Sequence, residues 1–293
     1  MSWRAEVSFV PHTPGRIGIV SDSTAYLPQS LRDEHGIVVV PVQVVIGGVV
    51  ADETDVAAHD VAAALRDWTP VTTSRPTPHA FLAAYELLAA AGASGIVSVH
   101  LSSDMSATIE SAMLAARESP IPVRVVDSRS IGMGLGFAAL SGAQCAATGG
   151  DLDEVASVVA GRASRASVLF YVDTLEYLRR GGRIGAAAAL VGSALSVKPL
   201  LQLVDGRVEP FEKVRTTSKA LARLEDHAVE RAGAHVVDLA VQHLANPDRA
   251  QALAARLRER IPLAGHLVVD EIGAVVGAHV GPGTIAVVIA PRD

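Results

Sequence analysis

Hydroxyl and carboxylate side chains gather where short apolar runs end in the first half of the chain. Ile17 to Val20 leads into Ser21, Asp22, Ser23 and Thr24; Ile96 to Leu101 leads into Ser102 and Ser103; Val123 to Val126 leads into Asp127 and Ser128. A further group, Thr72, Thr73, Ser74 and Arg75, reads as a loop ahead of a helix start. Parallel strands deliver their carboxyl ends to one edge of an open α/β sheet, where ligands bind between the loops. Hydroxyls and helix N-terminal N–H groups converging there suit a small anionic or polar group. The same residue types also cap the helix that follows, satisfying N–H groups that have no intrahelical partner. Most of these residues are read as caps and a minority as ligand contacts.

Two glycine-flanked basic side chains extend the set. In the segment from Asp173 to Gly185, Gly181 and Gly182 precede Arg183 and permit close backbone approach, so that N–H groups and one guanidinium can face the same anion. The alternative is a short helix, Leu175 to Arg180, stopped by glycine, with Arg183 merely solvated; the residues alone leave both open. Gly277-Ala-His279-Val-Gly281-Pro-Gly283 reads as a loop before the final strand. Its imidazole is able to donate to a carboxylate or, when protonated, to neutralise one.

Other chemistries find less support. Ser102 or Ser103, Asp127 and His279 occur in the order used by α/β-hydrolases, but the G-x-S-x-G nucleophile elbow is missing, which ranks hydrolysis or acyl transfer below binding. There is no P-loop for ATP, and neither H-E-x-x-H nor paired C-x-x-C marks a metal site. Gly132, Gly134 and Gly136 follow a strand as a dinucleotide fingerprint would, but Phe137 stands where its third glycine belongs. No cofactor and no metal are expected.

The elements that must position these residues follow from periodicity. From Ile17 to about Ala160, strand-like runs alternate with helix-period segments, which argues for βαβ units and a largely parallel sheet. Thr77 and Pro78 open a helix with Phe81, Leu82, Tyr85 and Leu88 on one face. After a helix from Leu152 to about Arg162 the pattern changes. Strand Val168 to Val172 is followed by a hairpin, Leu200 to Val204 and Arg207 to Phe211, turning at Asp205-Gly206. Two amphipathic helices carry Leu221, Leu224 and Val229, then Leu253, Ala254, Leu257 and Ile261; strands Val236 to Val241, Leu267 to Val269 and Thr284 to Ile289 complete the set.

Composition sets the outer limits. A chain of 293 residues favours two domains. Aromatic residues make up 4% and the net charge is −6, which argues against a nucleic-acid surface. Cys145 is the single cysteine, so no intrachain disulfide can form. Met1 to Gly15 lacks an apolar secretory core, and Ile184 to Val197, with Ser193 and Ser196, falls short of the roughly 20 residues a membrane span needs. A cytoplasmic protein without stable membrane insertion is expected.

Seven blocks in order, spread from Ile17 to Ile289, resemble the bacterial DegV family: Ser21 to Thr24; Thr73-Ser74 with Pro76; Ser102-Ser103 with Ser106 and Thr108; Asp127-Ser128 with Gly132 to Gly136; Asp173 to Ile184; Lys198-Pro199; and Gly277 to Gly283. The resemblance implies a protein that binds a long-chain fatty acid, some members serving as the FakB component of fatty acid kinase. By that resemblance the carboxylate lies among Thr73, Ser74, Ser102, Ser103, Arg183 and His279, and the acyl chain fills an apolar tunnel. Burying ~14 methylenes at ~0.8 kcal/mol each offers about 11 kcal/mol before ordering costs, so the tail supplies most of the affinity. A separate ATP-binding kinase subunit would then form the acyl phosphate, with Lys213, Arg215 and Lys219 as candidates for docking it.

Two positions depart from the family pattern. Ala107 replaces the usual glycine in Ser106-Ala107-Thr108, and Arg75 stands where glutamine is common. The resulting expectation is an α/β protein with a three-layer, mostly parallel N-terminal domain over residues 1–160 and an α+β C-terminal domain over residues 161–293. The ligand is expected in the cleft between them.

Overall fold

The computed structural model describes residues 15–190 and 198–292. Residues 1–14, on which the reading of the opening segment rests, and Ser193 and Ser196 lie outside the described residues. In chain order the first half runs β1 (Ile17–Asp22), α1 (Gln29–His35), β2 (Ile37–Val40), β3 (Gln43–Ile46), β4 (Val49–Asp52), α2 (Ala58–Arg66), β5 (Val71–Ser74), α3 (Pro78–Ala90), β6 (Gly95–His100), α4 (Thr108–Ala116), β7 (Val123–Asp127), α5 (Met133–Ala147) and α6 (Leu152–Arg165). The second half runs β8 (Ser167–Tyr171), α7 (Glu176–Arg180), β9 (Lys198–Val204), β10 (Arg207–Val214), α8 (Thr217–Ala232), β11 (Val237–His243), α9 (Pro247–Arg260), β12 (Ala264–Glu271), α10 (Ala274–Val280) and β13 (Ile285–Pro291).

These elements form a two-domain α/β architecture. A four-stranded sheet, β2-β1-β6-β7, is parallel throughout, as the alternation of strands and helices requires. Its strands end where the first hydroxyl clusters begin. A six-stranded sheet, β10-β9-β8-β13-β11-β12, is antiparallel except for the β11–β12 pair. The expected hairpin turn is present, with both Asp205 (φ 48°) and Gly206 (φ 80°) in the positive-φ region a tight two-residue turn demands.

The structure corrects the sequence reading in two places. Thr72 to Ser74 belong to a strand, β5, which pairs with β3 in a small antiparallel sheet, β4-β3-β5. His279 lies on helix α10 and not in a loop, because the apolar pattern of Ala274, Val275 and Ala278 is buried against Val61 and Leu65 of α2 and Val44 of β3.

Helix α5 joins the two larger sheets. It is rich in alanine and glycine and buries residues on all sides, touching Ile19 and Val97 of the parallel sheet and Val168, Ala240 and Val288 of the mixed one within a single core. Side chains alternate along a strand. Val168 of β8 and Ala240 and Val288 of the neighbouring strands therefore face α5, while Leu169, Leu239 and Val287 face a separate core under α8 and α9. Helix α6 spans the expected division at residues 160 and 161 and leads directly into β8. No helix among the described residues is long and apolar enough to cross a membrane.

Candidate functional site

A cavity enclosing about 970 Å³ of empty space, its mouth included, opens between the two larger sheets. Its wall on the mixed sheet is the α5-facing set, Val168, Phe170, Leu203 and Ala286, and α10 contributes Val276 and Val280. Leu101, Met105 and Ile131 line it from the loops beyond β6 and β7. Such a lining favours an apolar occupant.

Several segments bring polar groups to this cavity. Thr73 and Ser74 come from β5, Ser106 from the loop before α4, Arg183 from the loop after α7, and His279 from α10. The Thr73 hydroxyl and His279 Nε2 lie 3.0 Å apart. Burial lowers the imidazole to about 4, and the nearby Arg183 guanidinium adds to the effect, so His279 is neutral at neutral pH. Its Nδ1 is buried and has no hydrogen-bond partner among the described residues. An anion drawn to Arg183 would reverse the electrostatic part of that shift.

The glycine stop of the second reading is present, but Arg183 is not left merely solvated. Helix α7 ends at Gly181, Gly182 takes φ 71°, and Arg183 N–H returns to the Leu178 carbonyl at 3.0 Å, which is a glycine helix stop. The turn also delivers Arg183 to the cavity, where its Nε donates to the Met105 carbonyl at 3.0 Å and Nη1 to Gly181 at 2.7 Å. Arg75, another lining residue, donates to Glu110 in the first turn of α4 at 2.7 Å, with the Ala107 carbonyl at 3.5 Å. The two guanidiniums thus contact carbonyls on both flanks of Ser106 in sequence, Arg183 at Met105 and Arg75 at Ala107.

Ser102 and Ser103 do not line the cavity. Ser102 is fully buried and donates to the Gly206 carbonyl at 2.8 Å, while exposed Ser103 donates to Asp127 at 2.6 Å. They hold their loop in place. The hydrolase arrangement of Ser102 or Ser103, Asp127 and His279 is not assembled: Asp127 meets Ser103 directly, and His279 meets Thr73. Asp22 is likewise structural, accepting from Thr24 N–H at 3.1 Å and from Leu101 N–H at 3.0 Å beside His100.

Sequence reasoning missed the residues that place α10. Glu53 is buried and accepts from the Ser23 hydroxyl, from Tyr26 at 2.8 Å and from Val275 N–H at 2.8 Å; Tyr26 in turn accepts from Val276 N–H at 3.1 Å. Two leading N–H groups of the helix bearing His279 are therefore satisfied by the other domain. Burial pushes the Glu53 carboxyl up to about 7 against those hydrogen bonds. Nothing in Asp52-Glu53-Thr54 marks this residue as buried, because its partners lie 27 and 30 positions before it, at Tyr26 and Ser23, and 222 positions after it, at Val275.

The sequence model of the family described as "Uncharacterised protein, DegV family" matches residues 16–292. The chain belongs to the DegV family. A DegV domain-containing protein of Streptomyces coelicolor is 56% identical over 94% of this chain and 99% of its own length, and one from Mycobacterium tuberculosis is 39% identical over 92% and 96%. Among solved structures, a fatty-acid-binding DegV family protein from Thermus thermophilus superposes with a TM-score of 0.89 at 33% identity, covering 94% of this chain and all of that one (100%). DegV of Bacillus subtilis, a fatty acid binding protein, gives 0.87 at 30% identity, with coverage of 95% and 100%. The DegV scaffold thus accounts for the two sheets and the cleft between them.

Proposed function

We propose that this protein binds a long-chain fatty acid in the cavity and presents its carboxylate to a separate ATP-binding kinase subunit. The reading rests on one observation: Thr73, Ser106, Arg183 and His279 converge on a cavity whose remaining wall is mostly apolar. Ionised carboxylates take hydroxyl, imidazole and guanidinium donors, and each charge-assisted hydrogen bond contributes about 1.5–3 kcal/mol. Ser74 stands at the rim, and Ser102 and Ser103 hold the loop that carries Ser106. The fatty-acid-binding relatives in Thermus thermophilus and Bacillus subtilis support the same assignment.

The kinase subunit forms the acyl phosphate, so this chain needs neither cofactor nor metal of its own. The exposed residues Lys213, Arg215 and Lys219, around the start of α8, form the docking face. The protein acts in the cytoplasm, residues 1–160 and 161–293 forming its two halves. Solvent extraction of purified protein followed by mass spectrometry tests the reading. A stoichiometric fatty acid, with ATP turnover only after the kinase subunit is added, is expected. An empty protein that also refuses added fatty acid would overturn it.

A further inference from the structure

Gln242 sets one amide into the largely apolar wall of the cavity. It stands on β11 beside Ala286 of β13, which in turn pairs with Phe170 of β8, and all three line the cavity. The residue is 3% exposed. Its Oε1 accepts from Met133 N–H at 3.0 Å, at the first turn of α5. A backbone N–H can be met only by the oxygen of the amide, so this contact fixes which end is which. The remaining group, Nε2, is buried with no hydrogen-bond partner among the described residues. A buried amide N–H without an acceptor is costly, and in a cavity wall the acceptor comes from water or from something bound.

We propose that Gln242 is a specificity-determining residue for an acyl chain bearing oxygen along its length, a hydroxy or oxo fatty acid whose oxygen accepts from Nε2. The inference rests on the fatty-acid reading above and narrows its ligand class. Against a wholly apolar wall, a chain hydroxyl would lose its water partners and gain none. Beside Gln242 it meets an amide donor that has no acceptor among the described residues, and the new hydrogen bond offsets that loss. A second ionised group is not matched there. Arg75 and Arg183, the charged side chains that line the cavity, are engaged by the Glu110 carboxylate and the Met105 carbonyl.

The test is a competition on delipidated wild-type protein. Stearic acid is offered together with a series of hydroxystearic acids in which the hydroxyl is walked along the chain, and the bound acids are quantified by mass spectrometry. One positional isomer is expected to outcompete stearic acid by about tenfold, the discrimination one added neutral hydrogen bond gives. Gln242→Leu and Gln242→Met are expected to restore the preference for stearic acid. Wild-type protein that binds stearic acid ahead of every hydroxylated isomer would overturn the inference and leave the fatty-acid reading standing. Uptake of none of the acids would overturn both.

Discussion

The Thr73 hydroxyl and the His279 imidazole, 206 positions apart in the chain, meet at 3.0 Å across the junction between β5 and α10. The contact holds the ring among the polar groups of the cavity, and the hydroxyl itself faces the proposed carboxylate. Thr73→Val keeps the shape and β-branching of the side chain but removes the hydroxyl. Fatty-acid affinity, read by displacement of a fluorescent analogue, is expected to fall about ten- to a hundredfold. The melting temperature should shift by no more than a few degrees, since Thr73 is only half-buried. Unchanged affinity would remove Thr73 from the site.

Neighbouring glycines separate site from stability. Gly181 has an ordinary φ of −71°, but a Cβ there would lie 2.0 Å from His279 Nδ1. Gly182 has φ 71° and open space around it. Gly181→Ala is therefore expected to displace the imidazole and cost at least tenfold in fatty-acid affinity. Gly182→Ala is expected to cost about 1–2 kcal/mol in stability and leave affinity intact. Parallel melting and binding measurements distinguish the two; the reverse assignment of losses would show that the imidazole is not held against the α7 stop.

Glu53 gives stability a pH dependence of definite sign. Its carboxyl sits at about 7 in the folded chain, whereas an unfolded glutamate titrates near about 4.3. Between these values the folded state holds the extra proton, so the contribution is full at low pH and is lost as pH rises through about 7, by roughly 3–4 kcal/mol. His279, lowered to about 4, acts in the opposite sense: its contribution is lost as pH falls from about 6.5 towards 4. Glu53→Gln removes the first slope and retains the second. Denaturant unfolding at about pH 5 and about pH 8 should show wild type losing stability relative to the variant on going up. Parallel profiles would refute the buried-acid assignment.

Charge reversal at the start of α8 tests the partner. Arg215→Glu alters an exposed side chain that is not part of the cavity lining. Phosphorylation of bound fatty acid by the kinase subunit is expected to drop at least tenfold while fatty-acid affinity stays within twofold, as removal of a complementary surface charge affects association. Equal loss of both activities would point to misfolding instead.

Local chemistry made much of this fold readable. Thr77 accepts from Ala80 N–H and Pro78 opens α3, as capping requires, and Asp205-Gly206 makes the turn its positive-φ tolerance predicts. The cavity residues Thr73, Ser74, Arg183 and His279 were also legible as polar groups among glycines and hydroxyls. What escaped was decided at long range. Ser102 carries the same signal as Thr73, yet its hydroxyl is taken by Gly206, on a hairpin of the other domain. His279 sits between glycines that suggest a loop, but burial of Ala274, Val275 and Ala278 against α2 and β3 makes the segment helical. Glu53 and Gln242 look like ordinary surface polar residues until α10 and α5 are packed upon them.

Two seams border the cavity, each made by both domains. Along one, Ser102 holds Gly206, Arg129 donates to the Asp205 carbonyl at 2.6 Å, and Arg207 pairs with Asp104 at 2.7 Å; along the other, Glu53 and Tyr26 hold the start of α10. Since α5 belongs to the core of both large sheets, the domains cannot swing apart as rigid halves without tearing that core. Any ligand exchange that required the domains to part would have to break one of these seams first, so its rate would report the strength of the seam and not that of the cavity.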